Sequence, residues 1–461
     1  MKMPDVKRKR FVMRNLRRLL LIGLLAVAGA PVVAGQGPGP GNGGPPQFLL
    51  RATPDNAPIV AARHGLSIVG QVNDGSGVIM FLAVPAMDTP GLSQDFNADT
   101  EITAFEENRS VRVPEAIHPR LAQSTAAILE TLPDRTIIPY YGRNVWRGYA
   151  YQPAAMLINA PIVHTLFATG GGTVAIIDTG IDVNHPALAG AIVPGYDFIR
   201  NQVAITSDLG SVSQSTAAIL EGERIGEPMQ AANVNQSTAA ILEQSTAAIL
   251  EGEGLPPAFG HGTMVAGLIR LVAPTTQIMP LTAFTADGAG DVFDVVRAIY
   301  YAVDHGAKVI NMSFSLQNWS AELLRAVNYA NEHDVICVAS AGNNGEETLV
   351  FPSAFRHVIG VGSSNNLDQR SAFSNYGNGL VRLAAPGEGL ITAFPGGRYA
   401  AVSGTSFSAA LVTGAAALLE QLVPGIEPNN AQEALSRAKR IGQDMGEGRL
   451  DLYAALQRVL R

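Results

Sequence analysis

Apolar and polar positions fall into two regimes along this chain. From residue 174 onward, short continuous apolar runs (VAII at 174–177, TQIMPLTAF at 276–284, AKVINMSFS at 307–315, DVICVAS at 334–340 and HVIGVGS at 357–363) read as strands buried on both faces. Between them, DVFDVVRAIYYAVDHG and SAELLRAVNYANEHD carry apolar residues at helical spacing. Strands alternating with helices imply right-handed crossovers and a mostly parallel sheet covered on both faces. Residues 47–111 follow another pattern. QFLLRA and GVIMFLAVP read as strands, APIVAARHG as a helix, and TEITAFEENRSV as a closing strand, which predicts a small α+β domain.

Several segments stand outside both patterns. Lys7 to Arg18 form a basic region and Leu19 to Ala30 a short apolar core, with Val32-Val33-Ala34 as a small-residue cleavage pattern. The run is shorter than the roughly 20 residues needed to span a bilayer, so an export signal over 1–34 is expected rather than an anchor. Residues 35–46 are Gly/Pro-rich and read as a linker. The octapeptide QSTAAILE occurs at 123–130, 214–221, 236–243 and 244–251. That spacing is too irregular for a solenoid, which leaves an adhesive or regulatory insert or a short DNA repeat spread through tolerant loops. Three copies lie in a stretch of about 201–257 without the spacing of core elements, so a surface insertion is expected there. The stretch 114–150, holding the other copy, reads as a linker.

Composition narrows the class. The chain has 461 residues, 47% apolar and 15% charged, which suits a packed globular protein of two or three domains. Its net charge is −7 although the first 34 residues hold eight Lys/Arg against one Asp, so the body is acidic and gives no reason to expect nucleic-acid binding. The single cysteine, Cys337, excludes an intrachain disulfide and reads as a buried structural thiol.

Three glycine-rich segments carry the candidate chemistry: VAIIDTGID (174–182), GHGTMVAG (260–267) and SGTSFSAALVTG (403–414). They place Asp178 at the end of a buried strand, His261 before a helix, and Ser406 at the start of a long apolar helix. A serine hydroxyl becomes a useful nucleophile when a base takes its proton and a carboxylate orients that base. Asp-Thr-Gly after an apolar run is also an aspartic-protease signature, but that chemistry needs two such aspartates and this chain has one copy.

The Asp–His–Ser order and these motifs resemble the subtilisin-like serine proteases. The resemblance implies a three-layer αβα catalytic domain over 151–461, with a mostly parallel sheet. It implies an inhibitory propeptide over 47–113 acting as an intramolecular partner. Asn343, in ASAGNNG, matches the family's oxyanion-hole asparagine. Ser313, Phe314 and Ser315 match the strand that pairs with extended substrate, while Gly342 and Val350 match the primary specificity pocket. Val350 implies modest apolar side chains. Ser315 replaces a usual glycine, Met264 a frequent histidine and Ala410 a usual proline, whereas Phe351-Pro352 matches a cis Tyr-Pro.

Many relatives interrupt the helix after the histidine with a calcium loop. Here GHGTMVAGLIRLVAP runs straight on, so no equivalent calcium site and no other cofactor is expected. The implied function is an exported serine endopeptidase, secreted or periplasmic, acting as a monomer on protein or peptide substrates, with no stable membrane span after signal cleavage. The other reading is an inactive binding protein of the same fold.

Overall fold

A computed structural model describes residues 46–86, 96–114, 134–203 and 256–461, all within one compact unit, Gly37–Arg461. The export signal, residues 35–45 of the linker and all four octapeptide copies lie outside the described residues. Among the described residues, no helix is long and apolar enough to cross a membrane.

The N-terminal part contains β1 (Phe48–Ala52), α1 (Ala57–Arg63), β2 (Leu66–Asn73), β3 (Ile79–Pro85), β4 (Ala104–Glu107) and β5 (Ser110–Arg112). The first four strands form an antiparallel sheet in the order β2-β3-β1-β4. The single closing strand expected over 100–111 is two strands. Asn108 breaks it, because its side-chain oxygen accepts from the backbone N–H of Phe293 (3.1 Å) in the neighbouring layer, and β5 leaves the sheet altogether.

Next come β6 (Ile137–Tyr140), β7 (Arg143–Trp146), α2 (Arg147–Ala150), α3 (Pro153–Leu157) and α4 (Ala160–Leu166). Residues 134–150, read from sequence as linker, are thus a hairpin and a helical turn. The hairpin turns through Tyr141 and Gly142, both at positive φ, and Val145 and Tyr149 bury their side chains in the main core.

The central sheet is built from β8 (Thr173–Asp178), β9 (Tyr196–Asp197), β10 (Gln202–Val203), β11 (Gln277–Thr282), β13 (Val309–Met312), β14 (Ile336–Ser340), β15 (Val358–Ser364) and β16 (Leu383–Pro386). Its order is β10-β9-β11-β8-β13-β14-β15-β16, parallel except for the β9–β10 edge. The helices are α5 (His261–Val272), α6 (Val292–Asp304), α7 (Ala321–Glu332), α8 (Thr405–Leu422), α9 (Pro428–Leu435) and α10 (Leu452–Val459). A short strand β12 (Ala289–Asp291) and the hairpin β17 (Leu390–Phe394)–β18 (Arg398–Val402) complete the fold.

Side chains of a strand alternate between faces. Accordingly, Val174 and Ile176 enter the core shared with α5 and α8, while Ala175 and Ile177 enter the core shared with α6 and α7. This gives the expected three-layer α/β architecture. Asp178 continues the Val174/Ile176 parity and so faces the α5 layer. The α6/α7 core also takes in Leu49, Met80 and Leu82 from the N-terminal sheet, so that sheet packs on the outer side of these two helices.

Candidate active site

Asp178 ends β8 and is buried, with one carboxylate oxygen accepting from the N–H of Thr179 at 2.8 Å. The chain turns away through Gly180, at φ +117°, and α5 is thereby free to approach. Gly262 meets this turn so closely that an added Cβ would lie 2.1 Å from the carbonyl oxygen of Gly180 and 3.2 Å from Cβ of Asp178. His261, the first residue of α5, follows Gly260 in the left-handed region at φ +77°.

The two residues meet through His261 Nδ1, which lies 2.8 Å from Oδ1 and 3.0 Å from Oδ2 of Asp178. An ionised carboxylate can only accept, so Nδ1 is the donor of this pair, and in the neutral ring Nε2 is then the basic nitrogen. Both side chains are about 1% exposed, which keeps competing water away from the pair. The His261 ring packs 5.5 Å from the ring of Phe407, the residue after Ser406.

Ser406 occupies the first turn of α8, where the helix dipole favours negative charge. Its hydroxyl lies 3.4 Å from the carbonyl oxygen of Ser313, and Ser313 Oγ donates to the carbonyl of Ser406 at 3.2 Å. Asn311 Nδ2 donates to that Ser313 hydroxyl at 2.9 Å and is itself fixed by Thr413. The Ser313 side chain is therefore buried as a support of the serine, while Phe314 is buried in the α6/α7 core against Phe284.

Asn343 follows β14 and is 4% exposed. Its side-chain oxygen accepts from the N–H of Thr405 at 2.9 Å and from the Thr405 hydroxyl at 2.8 Å. Both acceptor directions are thus occupied, which commits the amide NH₂ to pointing away from Thr405. Gly342, at φ +92°, sits between Asn375 and Val350, and Val350 belongs to a small cluster with Ala341, Leu380 and Val381. The Phe351-Pro352 bond is cis, matching the expectation.

A strand from the N-terminal part lies along this site. β5 pairs antiparallel with β12, with Val111 opposite Gly290, and Arg112 forms a bridge to Ser315. Arg112 N–H donates to the Ser315 carbonyl at 3.4 Å, Ser315 N–H donates back at 3.0 Å, and Val113 N–H donates to Gly288 O at 3.0 Å. Ser315 lies two residues from Ser313, whose carbonyl lies against the Ser406 hydroxyl. Val111 and Val113 are fully buried, while Ser110 and Arg112 point outward.

Other titratable groups have structural roles. His185 Nδ1 accepts from Ala187 N–H at 3.1 Å and Nε2 donates to the Arg398 carbonyl, and burial pushes this ring down to about 4. Burial pushes the Cys337 thiol, in β14, up to about 12, which makes it inert. Sequence reasoning missed Thr405 and also Thr263, whose hydroxyl accepts from the N–H of Asp182 at 2.8 Å. The only signal for either was a threonine within two residues of a proposed catalytic residue.

A buried carboxylate–imidazole pair and a serine on a helix N-terminus are the groups that hydrolases of the acyl-transfer type use. The Subtilase family matches residues 169–452. The chain belongs to that family and is a serine endopeptidase. It is 32% identical over 313 residues to the thermophilic serine proteinase of Bacillus sp. (strain AK1), covering 68% of each protein. It is 32% identical over 304 residues to thermitase of Thermoactinomyces vulgaris, covering 65% of this chain and 94% of thermitase. The fold is similar to that of fervidolysin from Fervidobacterium pennivorans, described as a keratinolytic enzyme related to subtilisin. The TM-score is 0.64 at 22% identity, over 91% of this chain and 62% of the other.

Proposed function

We propose that this serine endopeptidase acts through Ser406 as nucleophile, His261 as general base then acid, Asp178 as the group that orients His261, and Asn343 as oxyanion donor. The observation that carries the reading is the pair of 2.8 and 3.0 Å contacts between His261 Nδ1 and the Asp178 carboxylate. This pairing leaves Nε2 as the basic nitrogen, on a ring packed beside the nucleophile's neighbour. Nε2 takes the Ser406 proton as Oγ attacks the peptide carbonyl, and the tetrahedral oxyanion is met by the Asn343 amide and the Ser406 backbone N–H. His261 then gives its proton to the leaving amine, and water hydrolyses the acyl-enzyme with the same base.

The reading extends to export through residues 1–34 and to residues 47–113 as an inhibitory propeptide. The second is supported by β5, which pairs with β12 and Ser315 in the manner of an extended substrate. Two further contacts hold the domain in place. Glu106 accepts from Ser320 Oγ (2.6 Å) and Ala321 N–H (2.9 Å) at the start of α7, and Arg51 pairs with the buried Glu322 at 2.8 Å. Val350 in the floor cluster favours modest apolar side chains at the primary specificity position. No metal or other cofactor enters any step. The carboxyl end of α5, where the family resemblance would put calcium, does not suit a divalent cation, because Arg143 and Arg270 fill it.

The test is direct. The purified chain is expected to hydrolyse casein and to react with a fluorophosphonate probe at Ser406, with both lost in Ser406→Ala. Absence of both in a folded wild-type chain favours the inactive binding protein, and a fully active Ser406→Ala rejects the assignment of nucleophile.

A further inference from the structure

Helix α5 begins with His261, so whatever fixes its far end also fixes the base. The last carbonyls of a helix have no partner inside it and sit at the negative end of the dipole. Here they are met from residues 140–164, ahead of the family match. Tyr140 OH donates to Leu271 O at 2.8 Å and His164 Nε2 to Val272 O at 2.7 Å, while Tyr149 OH adds a bond to the carbonyl of Gly267, one turn earlier in the helix, at 2.7 Å. The turn after the helix is met by two cations. Arg143 donates through Nη1 to Ala187 O at 3.0 Å and through Nη2 to Pro274 O, while Arg270, from α5 itself, donates to Thr276 O.

Both guanidinium groups are buried, at 7% and 5% exposure, and neither pairs with a carboxylate among the described residues. All their hydrogen bonds go to backbone carbonyls, and each Nε has no partner. Burying two like charges without acids is expensive unless the surroundings are negative. Burial and the charge of Arg143 push Arg270 down to about 9, which still leaves it cationic at neutral pH. The negative surroundings are the carbonyls of Ala187, Pro274 and Thr276 together with the end of α5. Convergent carbonyl oxygens are also the ligands a calcium ion takes, and two guanidinium groups supply the same +2 charge.

We propose that Arg143 and Arg270 jointly replace a calcium ion at the end of α5, clamping the 273–276 turn and the 186–188 turn to the helix that carries His261. The consequence for catalysis rests on His261 being the base, whereas the clamp does not. Calcium and chelator therefore leave this end of the helix unchanged, and removing either guanidinium loosens it.

Hydrogen exchange of the full chain, read by mass spectrometry over residues 273–277, tests this without any activity readout. Wild-type exchange there is expected to agree within roughly twofold between excess EGTA and millimolar CaCl2. Arg143→Gln and Arg270→Gln are expected to exchange roughly tenfold faster or more, with no recovery on adding CaCl2. Should a glutamine variant not fold, the lysine variants decide. Arg143→Lys keeps the charge but cannot reach both Ala187 and Pro274, so faster exchange supports the clamp and wild-type exchange overturns it. Wild-type protection that rises about tenfold with CaCl2 would also overturn it. Failure of the protease reading would appear in casein hydrolysis and leave these rates untouched.

Discussion

Thr405 holds the side-chain oxygen of Asn343 with two hydrogen bonds, one from its N–H at 2.9 Å and one from its hydroxyl at 2.8 Å. The residue beside the proposed nucleophile thus sets the orientation of the proposed oxyanion donor. Thr405→Val removes one of the two bonds while keeping the shape and the backbone donor. The expected result is a kcat lowered about tenfold with KM nearly unchanged. That loss is smaller than the roughly 10²–10³ that deleting the equivalent donor costs in subtilisin, the enzyme on which this magnitude was established. Steady-state kinetics on a peptide substrate decide it, and an unchanged kcat would mean that the hydroxyl does not position the amide. Thr405→Ser should recover the rate.

Asp178→Asn tests the tautomer argument. An asparagine can present an N–H to His261 Nδ1, which forces the ring proton onto Nε2 and abolishes its basicity toward Ser406. Because both side chains are buried, water cannot restore the correct state. The expected fall in kcat is on the order of 10⁴ near neutral pH, with the fold retained by circular dichroism. A loss below about tenfold would show that the His261–Asp178 contact orients nothing.

Much of this site was legible because its determinants are local. The apolar run ending at Asp178, the glycines around His261 and the apolar helix after Ser406 are each contained in fewer than twenty residues. The parts that were not legible depend on partners far along the chain. Asn108 splits the closing strand only because Phe293 stands across from it, and Arg143 reads as an ordinary loop arginine until Ala187 and Pro274 come near. The inward turn of the Ser313 side chain to the Ser406 carbonyl depends on which face of a strand is buried, and single-sequence patterning reads that poorly when both faces are covered.

A pH dependence follows from Asp294 in α6. Burial and the adjacent Asp291 carboxylate push its carboxyl up to about 7, despite a 3.0 Å pairing with Arg297. The folded chain therefore holds this proton from about pH 7 downward, while the unfolded chain takes it up only near the usual range of about 4. Between those limits the folded state binds more protons, so this group's contribution to stability falls as pH rises to about 7 and is constant above. Asp294→Asn removes the slope. In a Ser406→Ala background, which prevents autolysis, the Tm difference between variant and parent should shift in favour of the variant from about pH 5 to about pH 7.5. Parallel Tm profiles would reject the assignment.

The strand β5 gives the last expectation, and it concerns regulation. Val111 and Val113 are fully buried in the same core as α6 and α7, on either side of Arg112, which pairs with Ser315 two residues from the carbonyl that the Ser406 hydroxyl meets. Val111→Asp places a carboxylate in that apolar core with no cation to meet it, while the backbone bonds to β12 remain possible. Burying an unpaired charge costs several kcal/mol, enough to favour release of the strand. In freshly purified full-length chain, the fraction of Ser406 reacting with a fluorophosphonate in the first minute should rise severalfold, and the lag before casein hydrolysis should shorten. A surface change on the same strand, Arg112→Gln, keeps both valines and should leave lag and labelling near the parental values. Equal labelling in Val111→Asp and the parent would mean that β5 does not obstruct the groove, even though it pairs along its edge.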